Sequence, residues 1–329
     1  MFLNHNLFVT TTNTCIVSRI IHASDQIPPS EHEIKTFLDR FISSARQVFA
    51  YAANQRAYED QLEYKLNLLG RDKIPQIMDS ARLLSFDNGV SHLVLITPSE
   101  KSRSRHTTDI PTRFLYEKIR KNSQMQVLDA AFLLYESFKE VRQTTAAAGY
   151  MYEDFTQYLI PLGGQWPVVR TTKYPKQKRY HHWKTNGTEK TDTYLCIGRR
   201  GGPPFEFTTA PPDKPTFSKL TSIGFTKDER LVLKDGFYYP LSKTQATFDA
   251  FVCSAQTREV LVLQATIRDW HSVLNAGLVW LKSLGVEKVY FAGVTPVGKG
   301  LDLPFDDQED LNSFVSMVYH LPMEPVRPK

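Results

Sequence analysis

The chain has 329 residues, of which 41% are hydrophobic and 23% are charged, and its formal net charge is +5. This length suits one large domain or two modest ones. Because no apolar stretch approaches the ~18 residues of a membrane-spanning helix, we predict no membrane association. The start, Met1–Arg19, lacks a basic leader and a continuous apolar segment, which predicts an intracellular protein, cytoplasmic or nuclear. Three widely spaced cysteines argue against a disulfide scaffold and against a zinc site.

A capping box opens the N-terminal region. Ser30 and Glu33 precede an apolar stripe, and this pattern predicts a helical region that continues, with breaks, to Leu69. The stripe forms one face for packing or for a protein partner, at Ile34, Phe37, Leu38, Phe41 and Ile42. Residues Ser91–Thr97 predict a strand, and Pro98–Asp109 predict a polar loop. We therefore expect residues 1–111 to form a mainly helical region.

A second helix is predicted around Gly149–Glu153. Its apolar positions include Tyr152, Phe155 and Leu159, and it is expected to end before Pro161. Glu153 is an acidic residue of this helix that can face a sheet.

Positive charge is concentrated between Arg170 and Arg200. This segment has nine Lys and Arg residues against only Glu189 and Asp192, so its formal charge is +7. Aromatic and imidazole rings interleave with the cations, a pattern suited to phosphate contacts and base stacking. The predicted nucleic-acid contacts are Arg170, Lys173, Lys176, Lys178, Arg179, Lys184, Arg199 and Arg200. The alternative is a solvated basic insertion, which turn-forming Gly and Pro residues place within residues 166–215.

The most informative pattern is a predicted hairpin. Strand-like runs at Thr247–Cys253 and Val260–Thr266 flank a polar turn. If the turn is centred between Gln256 and Thr257, Asp249 lies directly opposite Gln264 on one face of the sheet. A carboxylate beside a second oxygen ligand is a candidate magnesium site. The alternative is that Asp249 satisfies nearby backbone groups while Gln264 and Thr266 satisfy each other.

The residues after the hairpin predict a crossover. Helical spacing runs over Ile267–Leu284, with a start at Asp269 and a stop at Gly285, and Val286–Val294 predicts another buried strand. A strand, a helix and a strand in this order form a βαβ unit with parallel strands. We therefore predict an α/β fold with a mixed sheet, in which an antiparallel hairpin is followed by the βαβ unit.

These residues resemble a known superfamily. The Gly-x-x-Tyr-Glu helix, the Asp249 strand and the Gln264-x-Thr266 strand resemble the restriction-endonuclease-like PD-(D/E)XK superfamily, in which Glu-x-Lys is expected at the last pair. Four stretches resemble the nuclease-like C-terminal domains of fungal Crinkler and retrotransposon-hot-spot-type proteins: Phe237–Pro240, Phe248–Phe251, Leu263–Thr266 and His271–Ser272. The match covers roughly Leu128–Met323, and we assign a restriction-endonuclease-like domain to residues 112–329. The resemblance also implies that Glu153, Asp249 and Gln264 hold Mg²⁺ and that Thr266 stands in the place of the catalytic lysine.

Two departures from that pattern predict impaired catalysis. A threonine hydroxyl at position 266 lacks the charge and the reach of lysine, and one such electrostatic group is often worth on the order of 10²–10³ in rate. Gln264 removes one negative charge from the cation site, so we expect Mg²⁺ to bind weakly. His271, just after the second strand, is a candidate proton carrier or phosphate contact, although a structural role is the alternative.

Two functions follow from the sequence. The first is a nuclease-like protein with a Mg²⁺-dependent phosphodiesterase site formed by Glu153, Asp249 and Gln264. The second is an inactive, effector-like module that binds nucleic acid or protein on the same fold.

The resemblance also bears on nucleotide binding. In longer relatives a nucleotide-hydrolysing domain precedes the nuclease-like one, so residues 1–111 are interpreted as a remnant of it. Gly293–Gly300 has the spacing of a phosphate-binding loop, but Gly300 replaces the required hydroxyl and no helix start follows, so we do not expect nucleotide binding there.

Overall fold

The computed structural model describes two compact units. Unit N comprises residues 1–127 and 140–147, and unit C comprises residues 128–139 and 148–329. Within them the structure describes residues 28–41, 45–69, 95–99, 102–109, 112–122, 135, 145–177, 180–210, 216–226, 231–241, 247–306, 311 and 313–324. In this part of the chain, no helix is both long enough and apolar enough to cross a membrane.

Unit N is mainly helical in its described part. Its helices are α1 (Glu31–Phe41), α2 (Ala45–Tyr51), α3 (Gln55–Leu69) and α4 (Arg113–Asn122), with a short 3-10 turn at Ala52–Asn54. The capping box is confirmed, because the Ser30 backbone N–H donates to Glu33 Oε2 at 2.7 Å and the Glu33 N–H donates to Ser30 Oγ at 3.3 Å. Phe37, Phe41 and Tyr58 are almost fully buried and form the aromatic core of this unit.

A hairpin in unit N corrects one expectation. Strands β1 (Leu95–Ser99) and β2 (Ser102–Asp109) pair antiparallel, so the prediction of a polar loop over Pro98–Asp109 was wrong. Strand pairing uses backbone groups, and polar side chains therefore do not prevent it. Helix α4 begins next to Thr112, whose hydroxyl donates to the Arg40 carbonyl of α1 at 2.6 Å.

Unit C is built on a mixed seven-stranded sheet, as the sequence predicted for the α/β class. The strands of this sheet are β4 (Val169–Arg170), β9 (Ser222–Phe225), β10 (Gly236–Pro240), β11 (Ala250–Ser254), β12 (Glu259–Ala265), β13 (Lys288–Thr295) and β15 (Val315–Pro322). They lie in the order β4-β15-β13-β12-β11-β10-β9. The pairs β10·β11 and β11·β12 are antiparallel, whereas β12, β13 and β15 run parallel.

The predicted βαβ unit is confirmed, but its helix is shorter than predicted. Helix α6 (Asn275–Ser283) connects β12 to β13, and the chain leaves it through Gly285, whose φ of 84° is readily adopted only by glycine. The start predicted at Asp269 was wrong, because the residues between Asp269 and Asn275 use their backbone groups in hydrogen bonds to another strand. The N–H groups of His271 and Val273 donate to the carbonyls of Asp302 and Pro304.

Helix α5 (Thr145–Leu159) is the predicted Gly149–Glu153 helix, and a 3-10 turn at Ile160–Leu162 follows it. The two units divide within its first turn, and most of the helix belongs to unit C. Tyr152 is fully buried, and its hydroxyl donates to the Met323 carbonyl at 2.8 Å. This contact fixes the rotation of α5 relative to the end of β15.

The predicted basic insertion is folded into strands rather than forming an irregular excursion. Two three-stranded antiparallel sheets arise from it together with a later strand. One sheet has the order β14-β6-β5, from β5 (Thr172–Gln177), β6 (Tyr180–Thr185) and β14 (Leu301–Asp306). The other has the order β3-β7-β8, from β3 (Gly164–Pro167), β7 (Tyr194–Ile197) and β8 (Phe205–Thr208). The predicted contacts are thereby spread over several elements.

Candidate functional site

The hairpin register agrees with the sequence prediction. Pairs run from Ala250↔Leu263 to Ser254↔Glu259, which is the register of a turn centred between Gln256 and Thr257. The ladder ends at Ala250↔Leu263, and beyond it the Asp249 N–H donates to the Leu263 carbonyl at 3.0 Å, one residue out of that register. The side chains of Asp249 and Gln264 are nevertheless in contact.

The contact between them is a hydrogen bond from an amide to a carboxylate. Gln264 Nε2 donates to Asp249 Oδ2 at 2.8 Å, and the backbone N–H of Ala265 donates to the same oxygen at 2.6 Å. Gln264 is 4% exposed and Asp249 is partly exposed, so the bond lies at the edge of the buried core, where an unpaired carboxylate oxygen still costs free energy. This arrangement partly matches the alternative interpretation of the sequence, in which Asp249 satisfies neighbouring groups.

Helix α5 brings Glu153 to the same place through Gln157. Gln157 Nε2 donates to Glu153 Oε1 at 3.1 Å and to the Asp249 carbonyl at 2.9 Å. The structure thus brings Glu153, Asp249 and Gln264 together in one connected polar cluster. Sequence reasoning missed Gln157, although its position four residues after Glu153 places both on one face of the helix.

The polar cluster, defined as Glu153, Gln157, Asp249 and Gln264, suits Mg²⁺ poorly as it stands. Oxygen ligands hold Mg²⁺, but here N–H groups already point at one oxygen of each carboxylate. Within the described ranges, no three His, Cys, Asp or Glu side chains form a group that can hold a metal ion. Mg²⁺ binding at this cluster stays a prediction.

Thr266 has a local structural contact in place of the expected lysine chemistry. Its hydroxyl accepts the Arg268 N–H at 3.1 Å, and its own N–H donates to the Val294 carbonyl at 2.8 Å. The residue is 6% exposed. The hydroxyl therefore stabilises the turn that leaves β12, and it does not pair with Gln264 in the described contacts.

His271 lies beside β14, where its N–H donates to the Asp302 carbonyl at 3.1 Å. Burial, and next the positive charge of Arg268, lower the pKa of its imidazole. The ring is consequently neutral near pH 7 and can act as a proton acceptor.

Thr247, the first residue of the predicted hairpin strand, holds the start of helix α6 instead. Its hydroxyl donates to the Leu274 carbonyl at 2.7 Å and accepts the Gly277 N–H at 2.8 Å. The packing is tight enough that a Cβ at Gly277 would lie 2.6 Å from the Thr247 Cβ. The end of the hairpin and the crossover helix are thereby fixed to each other.

The predicted nucleic-acid contacts divide into paired and exposed cations. Lys184 Nζ lies 2.8 Å from Asp302 Oδ2, and Arg199 forms an ion pair with Glu206. Arg200 Nε donates to Ser218 Oγ at 3.2 Å. Arg170 and Lys173 are exposed on β4 and β5. Lys176 is a residue of β5, and the predictions for Lys178 and Arg179 lie outside the described residues.

A buried histidine that sequence reasoning did not single out ties three strands together. His320 is 1% exposed, with Nδ1 2.9 Å from Thr185 Oγ1 and Nε2 2.7 Å from Thr295 Oγ1. Because Thr295 donates its hydroxyl proton to the Pro296 carbonyl, Nε2 carries a hydrogen and Nδ1 accepts from Thr185. Burial lowers the pKa of His320 to about 4, so the ring is neutral and structural near pH 7.

The loop at Gly293–Gly300 continues into strand β14 rather than into a helix, in agreement with the sequence expectation. A helix start is what would aim backbone amides at a phosphate. Together with Lys184, Asp269 and Asp302, this loop lines a cleft of about 440 Å³.

No protein-family model, no curated protein and no solved structure matches this chain. Its function is therefore inferred from its residues and their geometry.

Proposed function

We propose that this chain is a nucleic-acid-binding protein on a restriction-endonuclease-like core whose hydrolytic site has degenerated. The order of elements in unit C supports this core: after helix α5 and seven intervening strands come the antiparallel strands β10, β11 and β12, then helix α6 and strand β13, which is parallel to β12. The resemblance to PD-(D/E)XK and Crinkler-like domains implies the same helix, hairpin and crossover.

The observation that carries the proposal is the bond from Gln264 Nε2 to Asp249 Oδ2 at 2.8 Å. In an active site of the implied type, both positions would offer oxygens to a cation. Here the amide offers a hydrogen to the carboxylate, and the two side chains satisfy each other. Thr266 supports the same conclusion, because its hydroxyl stabilises a turn and supplies no positive charge.

Binding is supported by the charge of the chain. From Arg170 to Thr188 there are six Lys or Arg residues and no Asp or Glu. A region of this kind attracts phosphates whether or not cleavage follows. We retain two further predictions, that the helical N-terminal region binds a protein partner and that residues 1–111 are a remnant of a nucleotide-hydrolysing domain.

The second candidate function is a slow Mg²⁺-dependent nuclease. It is favoured by the convergence of Glu153, Asp249 and Gln264 through Gln157. A cleavage assay distinguishes the two candidates. Supercoiled plasmid and a labelled RNA are incubated with the protein and Mg²⁺ or Mn²⁺, in parallel with Asp249→Ala.

The proposal predicts no cleavage above that of Asp249→Ala. Metal-dependent cleavage by the wild type that is lost in Asp249→Ala would contradict it and establish the second candidate. Gln256→Ala, a change in the exposed hairpin turn, is the matched control for the effect of substitution on the preparation.

A further inference from the structure

The outer face of the sheet β14-β6-β5 is distinct from the polar cluster. Paired residues in neighbouring strands point to the same side of a sheet. Asp302 pairs with Lys184, which pairs with Thr172, while Pro304 pairs with His182, which pairs with Tyr174. These residues therefore share one side.

The opposite side of this sheet is the core side. Leu301, Leu303 and Phe305 are at most 5% exposed and belong to the hydrophobic core of unit C, and Trp183 packs against that core. The alternation along β14 and β6 consequently fixes which residues point outward. These are the even-numbered residues, including His182, Lys184 and Asp302.

The segment before helix α6 extends this sheet by one short edge. Trp270 bridges Asp302 and Val273 bridges Phe305, both in parallel orientation. Val273 is fully buried with Phe305 on the core side, whereas Trp270 is 53% exposed and shares the side of Asp302. The extended segment before helix α6 thus adds the exposed indole of Trp270 to the outer face.

Two exposed rings border a polar centre on this face. Trp270 lies at one margin and Tyr174, 46% exposed, at the other. In the centre, Asp302 accepts from His182 Nδ1 at 2.8 Å and pairs with Lys184, whose Nζ lies 5.8 Å from the Tyr174 ring centroid. The strands β14 and β6 lie between the backbones of Trp270 and Tyr174, so these backbones are three strand spacings, or roughly 14–16 Å, apart.

We infer that this outer face binds single-stranded nucleic acid, with bases stacked on Trp270 and Tyr174. The inference rests on the proposed function, nucleic-acid binding, and adds to it the strandedness of the ligand and the residues that hold its bases. Aromatic rings on a sheet accept any base on their π-faces, and single strands expose those faces whereas duplexes do not.

The charge of this segment favours a nucleic acid over a neutral partner. Strands β5 and β6 and the turn between them carry five Lys or Arg residues and no acidic residue in the sequence. Of these cations, Lys184 lies on the outer face, whereas Lys173 pairs with Trp183 on the opposite side. The aspartate at the centre is already paired with Lys184 and His182. The cleft of about 440 Å³ adjoins the face at Lys184 and Asp302 and adds a second cation, Lys299, whose Nζ lies 3.9 Å from Asp269 Oδ1 in a loose, exposed ion pair.

The test measures binding of fluorescein-labelled oligothymidylate, oligouridylate and a DNA duplex of equal length by fluorescence anisotropy, with EDTA present to prevent cleavage. The variants are Trp270→Ala, Tyr174→Ala and Trp270→Phe, in the full chain. Tyr158→Ala is the matched control, since Tyr158 is a 43% exposed tyrosine on helix α5. Because the substituted rings are exposed, thermal unfolding is expected to be unchanged and is checked for each variant.

We expect the wild type to prefer the single strands, and each Ala variant to bind them roughly 5- to 150-fold more weakly. Trp270→Phe should recover most of the affinity, and Tyr158→Ala should bind as the wild type does. A comparison of the thymidylate and uridylate probes shows whether DNA or RNA is preferred.

Three outcomes overturn the inference. Tighter binding of the duplex, or unchanged single-strand binding in both Ala variants, would remove the stacking face while the proposed function stands. Failure of the wild type to bind any probe would remove the proposed function itself. Self-association in sedimentation that is abolished by Trp270→Ala, without binding of any probe, would make the face a protein interface.

Discussion

The substitution Gln264→Glu tests the polar cluster most sharply, because it restores the carboxylate that the resemblance implies. Gln264 Nε2 lies 2.8 Å from Asp249 Oδ2, so the change places a carboxyl group against a carboxylate. At that separation and an effective dielectric constant near 20, two unit charges repel by about 6 kcal/mol. Keeping the introduced carboxyl group protonated at pH 7 costs less, about 3–4 kcal/mol, given an ordinary glutamate pKa of about 4.3. The variant is therefore expected to take up a proton and to donate it to Asp249.

The sign of the pH dependence follows from this proton. The pKa of the introduced carboxyl group is raised in the folded state, so the folded state binds more protons than the unfolded state as soon as the pH exceeds about 4.3. The free energy of unfolding of Gln264→Glu should be lower than that of the wild type by about 3–4 kcal/mol at pH 7 and by only about 1 kcal/mol at pH 5. The midpoint of thermal unfolding should fall by roughly 6–15 °C at pH 7.

The assay is thermal unfolding followed by circular dichroism at pH 5–8, in EDTA and again in Mg²⁺ or Mn²⁺. A divalent cation between the two carboxylates should recover part of the loss at pH 7, since it binds the folded state. The matched control is Gln256→Glu, which makes the same charge change in the exposed turn of the hairpin and should show neither effect. If Gln264→Glu behaves as Gln256→Glu does, Gln264 and Asp249 are not in contact and the description of the polar cluster is wrong.

Three further predictions concern other parts of unit C. Thr247→Ala should lower the free energy of unfolding by about 1–2 kcal/mol, because it removes both hydrogen bonds to the start of helix α6. Thr247→Ser keeps the hydroxyl and should retain most of the stability. Denaturant titration of both variants checks this, and equal losses of stability in the two variants would contradict it. The pKa of His320 is lowered to about 4 in the folded state, so below pH 6.5 the unfolded state takes up a proton before the folded state does. The free energy of unfolding should therefore fall by about 3 kcal/mol between pH 6.5 and pH 4. Denaturant titrations across this range should show a shallower fall for His320→Gln, and an identical fall would refute the assignment. Burial raises the pKa of Cys253 to about 12, so iodoacetamide at pH 8 should label this thiol only after denaturation. Mass spectrometry measures the labelling, and label on Cys253 in the native protein would contradict the burial of the hairpin.

The features that the sequence predicted well are local. The length of the turn between the hairpin strands determined the register, and with it the contact of Asp249 with Gln264. Gly285 ends helix α6 as predicted, because the positive φ there favours glycine. The strand, helix and strand order was sufficient to predict the parallel pair β12·β13.

The features that could not be predicted depend on residues distant in the chain. The start of helix α6 was placed too early because β14, some thirty residues later, uses the backbone groups of His271 and Val273. The pairing of Lys184 with Asp302 joins residues 118 positions apart, and no local pattern indicates which cations of the basic segment are neutralised. The direction of the amide of Gln264 also depends on this folded context, because a carboxylate can only accept hydrogen bonds.

The central claim is that this protein binds nucleic acid through its cations and its sheet face, independently of a metal ion. The most direct measurement is the equilibrium affinity of the full chain for a labelled single strand in EDTA, at several salt concentrations. We expect saturable binding without divalent cations, with an affinity that falls as salt rises, because the phosphate contacts release counterions. Binding that requires Mg²⁺, or no binding at any salt concentration, would contradict it.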